Sequence, residues 1–436
     1  MKRSHGRWRA FLQSGLSRIG AHWKSVLLGN EELGAERGVA ERARAREFAR
    51  WAAELRGGVA KLAQLQAYLE GPAAMDREAR EALGQLWDRA PGESPEAVRR
   101  VILEDLGAPP EQLFARWTDE PMAAASLGQV HAAESHEGAK LAVKVQYPDV
   151  ADALRDDLES GALVRQLVGA EVGHALSAEA AAALRERILG ELDYRAEAEY
   201  LELFRRALAG DARIVIPRVY PALSSARVLT MERLEGRPLP AFAATAGPAA
   251  RNAAARTLFL FAWGGPLRHG LVNADPNPGN YLILDPPGRV GFLDFGCVVR
   301  LDEALAREDR RLWMSVIHRD GETLRHAFHR QGLVGDAAAL DGAAYRAWER
   351  HLAGPFLTRG EYTLEPEHVR ELVRLTGLLV RNRGLELPPR SLLLWRQRLG
   401  ALSVIAALRP RLDFRAALAE LLDDGHHPQP LIERYP

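Results

Sequence analysis

The chain has 436 residues, of which 47% are hydrophobic and 27% are charged, the composition of an ordinary globular protein with room for two or three domains. Its 58 Lys and Arg residues balance its 58 Asp and Glu residues, so the net charge favours no nucleic-acid partner. The single cysteine, Cys297, excludes an internal disulfide and a cysteine-rich metal site, which is typical of a reducing compartment. The sequence contains neither the apolar region of a secretory signal nor an uninterrupted bilayer-length run, so we expect a cytoplasmic location.

Residues 1–118 are predicted to form a helical extension. Trp8, Leu12, Leu16 and Ile19 recur at helical spacing, with Arg and Lys residues between them. Such a stripe packs into a protein core more often than it binds a membrane, and both interpretations stay open. The second would place the chain peripherally at the inner face of a membrane.

Strand-like runs are concentrated in residues 119–235, and residues 236–436 are predicted to be helical again. The runs are "VHAAE", "KLAVKVQY", "RIVIPRVY" and "ARVLTMERL", whose β-branched and apolar residues predict a small antiparallel sheet. A charged, Ala-rich block between residues 148 and 209 is predicted to be a helical insert. The expected order is therefore a helical extension, a sheet with a helical insert, and a helical lobe.

The stretch "NADPNPGN" and the later "LDFG" carry the polar residues with the clearest chemical implication. Asn280 stands five residues after Asp275, and Asp294 stands nineteen residues after Asp275 at the end of a strand-like run. Phosphoryl transfer in protein kinases uses one Asp near the accepting oxygen, with an Asn and a second Asp that hold Mg²⁺ on the phosphates. Asn and Asp beside Pro also form ordinary turns, so it is the order and spacing of all three residues that favour a phosphate and metal site.

Two upstream segments would complete a phosphate site. Lys144 lies in the strand-like "LAVKVQY", where its ammonium would neutralise phosphates, although a solvent-facing lysine on an edge strand is the alternative. The covering loop would be "PMAAASLGQVHAA". Small side chains stand there in place of glycines and still permit close backbone approach, at Ala123, Ala124, Ala125 and Ser126.

The acidic helix "ELDYRAEAEYLELF" offers partners for the lysine. Glu191 and Glu197 are six residues apart and, at about 100° per residue, do not share one helix face. Two roles are therefore predicted, unless the helix only presents a solvated acidic face. Further along, "VLTMERLEG" is similar to a connector that would bond adenine at Met231, Glu232 and Leu234.

Together with "KLAQ" and "LGQLWDRAP", these segments resemble the UbiB family of atypical kinases, and they follow the family's order from about residue 56 to residue 301. The resemblance implies an α+β, protein-kinase-like bilobal fold that is mostly helical, with a small antiparallel sheet in the N-lobe. It implies that the extension, residues 1–118, folds over the active site. Residues 119–235 would form the N-lobe and residues 236–436 the C-lobe.

The resemblance also implies a role for each motif residue. Asp275 would be the catalytic Asp, and Asn280 and Asp294 would be the Mg²⁺ ligands. Lys144 would be the nucleotide lysine, with Glu197 as its helix partner. The cofactors expected from the family are ATP and Mg²⁺.

The resemblance also implies that a second family motif, K-x-G-Q, would restrict access to the site. Lys61 and Gln64 match its Lys and Gln, which would meet Glu191 and Asp193. Ala63 stands where the family has Gly, so the close contact or turn made there is expected to differ.

Two further departures lie in the "NADPNPGN" stretch. Asn273 and Asn277 replace histidines that are usual in the family. Asn forms hydrogen bonds as His does but takes no positive charge. Since the expected metal and phosphate residues are all retained, we expect nucleotide binding.

The function implied by the family is that of an atypical kinase or ATPase that binds MgATP and supports ubiquinone or other isoprenoid-lipid metabolism. After Gly296 the chain passes into a helix-like segment without a long activation segment, so a protein kinase is not expected. The alternative is a nucleotide-gated pseudokinase, a scaffold or lipid-binding protein of a membrane-associated biosynthetic complex. An isoprenoid lipid or quinone precursor is the expected partner besides nucleotide, and the oligomeric state stays open.

Overall fold

The computed structural model describes residues 93–125, 127–148, 192–318, 321–334, 342–381, 385 and 389–423. Over these residues the chain is mostly helical and includes a small antiparallel sheet, which confirms the predicted α+β class. The described helices are α1 (Pro95–Leu106), α2 (Pro110–Leu113), α3 (Tyr194–Ala207), α4 (Leu239–Thr245), α5 (Pro248–Gly264), α6 (Glu303–His318), α7 (Gly321–Arg330), α8 (Ala343–Leu357), α9 (Pro366–Arg381), α10 (Pro389–Ala407) and α11 (Phe414–Leu422). The described strands are β1 (Arg116–Ala125), β2 (Gly128–Glu134), β3 (Lys140–Gln146), β4 (Ile214–Val215), β5 (Val228–Glu232), β6 (Arg237–Pro238), β7 (Leu271–Asn273), β8 (Tyr281–Leu284), β9 (Arg289–Phe292), β10 (Val298–Arg300), β11 (Tyr362–Thr363) and β12 (Arg411–Leu412).

The antiparallel sheet has the order β1-β2-β3-β5, and α1 packs against it. Ser94 caps α1 by accepting a hydrogen bond from the Ala97 amide, and the helix ends at Gly107, whose φ of 76° favours glycine. Apolar side chains of α1 and β3 form the shared core, namely Val98, Val101, Ile102, Leu141, Val143 and Val145. The helix therefore holds β3 from one face while β2 and β5 hold its two edges.

The prediction that "RIVIPRVY" joins this sheet is wrong. Its first part forms β4, which pairs in parallel with β9 in a second sheet of order β4-β9-β8-β6. After Pro217, Val219 makes only an isolated bridge with Met231 of β5. Proline has no amide to donate to a ladder, so the run is divided between two sheets. The edge position beside β2 belongs instead to β1.

The helices of the C-terminal half pack around α5. Residues 257–264 of α5 are buried on every side, as expected for a helix inside a core. The Trp263 ring packs against Phe259, Trp313 and Phe356. The second sheet joins the same core through Phe292, whose ring lies 3.8 Å from that of Phe261.

Several predictions concern residues outside the described ranges. These are the helical extension as far as residue 92, with its basic and apolar stripe, and most of the insert between residues 148 and 209. The extension's place over the active site and its membrane contact therefore stay predictions, and so do the two boundaries between the three predicted domains. Within the described ranges, no helix combines the length and apolar character needed to cross a bilayer.

Candidate active site

Lys144 lies on the inner strand β3, opposite Val130 of β2 and Leu229 of β5. The alternative of a solvent-facing edge lysine is wrong, because the strand is paired on both sides and the side chain is only 6% exposed. Its Nζ lies 3.0 Å from Oε1 and 2.8 Å from Oε2 of Glu197 on α3. The same Nζ lies 4.8 Å from the centre of the Tyr194 ring. The structure therefore brings together the predicted lysine and its predicted helix partner.

The charges around Lys144 decide its protonation. Burial works to lower the pKa of Lys144, but the carboxylates of Asp294 and Glu197 outweigh it and hold this pKa well above its ordinary value. Burial raises the pKa of Glu197 to about 6, while Lys144 opposes the rise and Asp294 adds to it. At neutral pH the lysine is a cation and the glutamate is its anionic partner.

Asp294 follows the end of β9 and faces the same lysine. Its Oδ2 lies 3.5 Å from Lys144 Nζ, and its Oδ1 accepts a hydrogen bond from the Gly296 amide at 2.9 Å. Phe295, between them, is fully buried, with its ring centre 4.9 Å from that of Phe204 on α3. The aromatic contact holds the Asp294 segment against the helix that carries the lysine's partner.

The two departures from the family stretch have different surroundings. Asn273, at the end of β7, is buried; its Nδ2 donates to the Asp294 carbonyl at 2.8 Å, and its Oδ1 accepts from the Asp275 amide at 3.2 Å. Asn277 is half-buried, and its Oδ1 accepts from the Gly279 amide at 3.0 Å in a contact that is exposed to solvent. Asn273 thus joins the two aspartate-bearing segments, whereas Asn277 makes the local turn that its sequence predicts.

The register of β8 and β9 brings the two predicted metal ligands together. Tyr281, the first residue of β8, pairs with Phe292, the last residue of β9. Asn280 precedes this pair and Asp294 follows it, so both lie at the same end of the hairpin. The Leu293 amide also donates to the Asn280 carbonyl at 3.0 Å. A carboxylate and a side-chain amide are oxygen ligands of the kind that Mg²⁺ uses together with substrate phosphates. Asn280 and Asp294 therefore fit the metal that the family implies.

Arg396 of α10 is a residue of this site that the sequence did not indicate. Its Nη2 lies 3.1 Å from Asp275 Oδ1, and Asn280 Nδ2 lies 3.3 Å from Asp275 Oδ2. The arginine and the aspartate are 121 residues apart in the chain. No local pattern marks one arginine among several on a helix, so the contact follows only from how α10 packs.

The segment predicted to cover the phosphates is a strand over most of its length. Ala123, Ala124 and Ala125 belong to β1 and pair with residues 128–130 of β2. Their backbone groups continue the ladder to the turn, so the predicted covering segment is a β-hairpin. Ser126 lies outside the described residues. Contact of this hairpin with nucleotide stays a prediction.

The connector after β5 has fewer amides for adenine than its sequence suggests. Met231 is a buried strand residue, and the Glu232 amide donates to the Arg218 carbonyl at 2.8 Å. The next amide donates to the Lys140 carbonyl at 2.9 Å. The amides of two neighbouring connector residues are thus already used, and adenine binding at Met231, Glu232 and Leu234 stays a prediction.

The predicted access motif is described at one position only. Lys61, Gln64 and Glu191 lie outside the described residues. Asp193 caps α3, where its Oδ1 accepts from the Arg195 amide at 3.0 Å and its Oδ2 accepts from the Arg195 guanidinium at 2.8 Å. Its predicted contact with the K-x-x-Q motif stays a prediction.

The comparisons with known proteins concern the family to which this chain belongs. Residues 85–328, more than half of the chain, match the family model of the ABC1 atypical kinase-like domain. An uncharacterized protein of Mycobacterium tuberculosis is 35% identical over 50% of this chain and 46% of its own length. Protein ACTIVITY OF BC1 COMPLEX KINASE 7, a chloroplast protein of Arabidopsis thaliana, is 32% identical over 65% and 41% of the two chains. The mitochondrial atypical kinase COQ8 of Saccharomyces cerevisiae is 28% identical over 61% and 53%.

The chain spans about half the length of these curated relatives. A solved structure of Rv3197 with erythromycin, from Mycobacterium tuberculosis, superposes with a TM-score of 0.64 over 90% of this chain and 98% of that chain. At 24% identity this likeness shows a common fold. The family model, the relatives and the order of the motifs agree, and the chain belongs to the ABC1 family of atypical kinase-like proteins, the UbiB family that its motifs resemble.

Proposed function

We propose that this chain binds MgATP beside β3 and transfers the γ-phosphoryl group to a small molecule or to water, as an atypical kinase or ATPase. The observation that carries the proposal is the buried contact of Lys144 with Glu197, together with the 3.5 Å approach of Asp294 to the same ammonium. A lysine held by a helix carboxylate beside a metal-binding Asp is the arrangement that protein kinases use for phosphates. We also propose that the reaction supports ubiquinone or other isoprenoid-lipid metabolism. The relative named atypical kinase COQ8 supports this part of the proposal.

Each residue has a distinct task in this proposal. Lys144 neutralises phosphate oxygens of the nucleotide, and Glu197 keeps the ammonium in place. Asn280 and Asp294 hold the metal, and bound Mg²⁺ offsets the negative charge of the phosphates. Asp275 orients the accepting hydroxyl or water and takes its proton. Because phosphoryl transfer needs little covalent chemistry from the protein, this positioning accounts for most of the expected rate enhancement.

Asp294→Asn is the sharpest test of the proposal. MgATP hydrolysis by the purified full chain is measured with and without detergent and a phenolic quinone precursor. We expect hydrolysis in the wild type and a loss of about 100-fold or more in Asp294→Asn, because a metal ligand loses its charge. The matched control is Asp211→Asn, whose carboxylate pairs with Arg213 away from the site. Absence of hydrolysis in the wild type, or equal hydrolysis in Asp294→Asn, would contradict the proposal. MgATP binding without turnover would instead support the pseudokinase scaffold.

A further inference from the structure

We infer that Arg396 is a positioning residue for phosphoryl transfer, which orients the Asp275 carboxylate from outside the loop that carries it. The inference rests on the proposed function, because it gives Arg396 a task in the reaction of that site. Three observations carry it: the packing of α10 on the loop, the two-sided hold on the carboxylate, and the charge of the loop itself.

Helix α10 packs directly against the loop that carries Asp275. Gly400 lies so close to Pro276 that a Cβ on the glycine would stand 2.2 Å from Pro276 Cγ. Arg396 is four residues before Gly400 and therefore lies on the same face of the helix, one turn earlier. The close approach that the glycine permits brings the guanidinium within 3.1 Å of Asp275.

The Asp275 carboxylate is held from both sides. Its Oδ1 contacts Arg396 Nη2, and its Oδ2 lies 3.3 Å from Asn280 Nδ2. These two contacts fix the plane of the carboxylate with respect to the predicted metal ligand. An ionised carboxylate accepts about four hydrogen bonds, so the two contacts leave room for the proton of an acceptor. An orientation fixed before the acceptor arrives is what a general base needs.

The charges point to the same task. The stretch "NADPNPGN" contains Asp275 but no Lys or Arg, and Lys144 is already bound by Glu197 and Asp294. Arg396 brings a permanent cation to the aspartate from α10. It meets the carboxylate through one nitrogen, and its Nη1 lies 3.9 Å from Cys297 Sγ.

A purely structural task explains the contact less well. The side chains of Arg396 and Asp275 are 19% and 34% exposed, and ion pairs with this access to solvent contribute little to stability. Two residues further along α10, Arg398 makes a 2.7 Å pair with Asp309 in which both side chains are at most 2% exposed. That buried pair and the apolar residues around it anchor the helix. The packing of α10 on the core therefore does not depend on Arg396 alone.

A double-mutant cycle on MgATP turnover tests the inference. The full chain is compared as wild type, Arg396→Gln, Asp275→Asn and the double variant, with kcat, KM, MgATP affinity and Tm measured for each. We expect Arg396→Gln to lower kcat about tenfold or more, because a loosened base loses its alignment, with KM and MgATP affinity within about twofold of wild type. In the Asp275→Asn background the same substitution has no further effect. A merely structural residue would lower kcat equally in both backgrounds.

Arg396→Lys is the conservative variant and guards against a Gln variant that folds poorly. It keeps a cation beside Asp275, so we expect its kcat to lie between those of wild type and Arg396→Gln. Arg374→Gln, which removes an exposed pair with Glu371, is the matched control and should leave kcat unchanged. If the wild type turns over MgATP and Arg396→Gln stays within twofold of its kcat, only this inference is overturned. If the wild type binds MgATP without turnover, the proposed function and the inference are overturned together.

Discussion

Lys144 Nζ and Glu197 Oε2 lie 2.8 Å apart, with both side chains at most 6% exposed, and join β3 to α3 across 53 residues of sequence. Asp294 Oδ2 lies 3.5 Å from the same ammonium. Since each charge has lost its water, each depends on the other. Loss of one partner alone therefore affects the stability of the fold as well as the proposed nucleotide site.

Lys144→Met should separate these two contributions. The variant leaves Glu197 buried without its cation, which costs up to about 3 kcal/mol of unfolding free energy, and removes the phosphate-binding charge. In Lys144→Met/Glu197→Gln the unpaired carboxylate is gone, so we expect stability to recover while MgATP affinity stays at least about tenfold weakened. Urea unfolding and MgATP titration measure the two effects. A double variant as unstable as the single one would contradict this explanation.

The pKa of Glu197 predicts how nucleotide affinity depends on pH. Burial raises this pKa to about 6, so the carboxylate is ionised at pH 7.5 and becomes largely protonated by pH 5. The Lys144 pKa is held well above its ordinary value, so the lysine stays charged across this range. Protonation of Glu197 removes the anion that positions the lysine, and we expect MgATP affinity to fall as pH is lowered through 6.

The comparison needed here is with Glu197→Gln. Titration of the nucleotide's own phosphate, which also occurs near pH 6, affects both proteins equally and cancels in the ratio of their affinities. We expect the advantage of the wild type over Glu197→Gln to shrink several-fold between pH 7.5 and pH 5. A ratio that does not change over this interval would show that Glu197 does not titrate there.

Asn273 and Asn277 should differ in their importance. Asn273→Ala removes the bridge between the Asp275 and Asp294 segments and takes a partner from two partly buried backbone groups, at a cost of about 1–3 kcal/mol. We expect turnover to fall with it. Asn277→Ala removes one exposed turn contact and should cost less than about 1 kcal/mol.

Asn273→His tests whether hydrogen bonding alone is needed at this position. Neutral imidazole offers one donor and one acceptor, as the two contacts require, so we expect it to retain more turnover than Asn273→Ala. Equal stability and turnover in the Ala variants at positions 273 and 277 would mean that the buried bridge has no special role.

Among the predictions, the largest loss of stability without a direct effect on the site is expected when the pair of Arg398 and Asp309 is broken. Their 2.7 Å pair lies inside the helical core, with the guanidinium carbon 4.6 Å from the Trp263 ring centre and 5.3 Å from that of Trp313. Arg398→Met leaves Asp309 buried without its cation, which should lower the unfolding free energy by about 3–5 kcal/mol. Arg398→Met/Asp309→Leu should recover most of it. Urea unfolding measures the free energy of unfolding of both variants, with the exposed Arg374→Met as the control. A loss in Arg398→Met no larger than the loss in Arg374→Met would contradict this prediction.

The metal-binding and phosphate-binding residues of this site could be predicted from sequence because they lie in short segments with recognisable patterns. Asp275 and Asn280 share one loop, Asp294 ends a strand, and Lys144 stands in an apolar alternation, so each residue type and its local structure are visible together. Glu197 is less obvious, and the family order of the motifs was needed to choose it among neighbouring carboxylates. The structure places Lys144 beside Glu197, the carboxylate chosen in this way, and beside Asp294.

The remaining features depend on contacts between distant segments. Arg396 reaches Asp275 only because Gly400 lets α10 pack on Pro276, and neither residue has a neighbour in sequence that indicates this. The run "RIVIPRVY" has good strand propensity on both sides of Pro217, but a propensity does not say which sheet each part will join. The small side chains at positions 123–125 are compatible with both a loop and a strand, so the sequence does not show that these residues belong to β1.

Calorimetric titration of ATP with and without Mg²⁺ shows whether a nucleotide and a metal ion bind together beside β3. The titration is made on the wild type and on Asp294→Asn. We expect Mg²⁺ to strengthen ATP binding to the wild type about tenfold or more, because metal and phosphates are bound together, and most of this gain to be lost in Asp294→Asn. Absence of ATP binding to the wild type, or an equal gain from Mg²⁺ in both proteins, would contradict it.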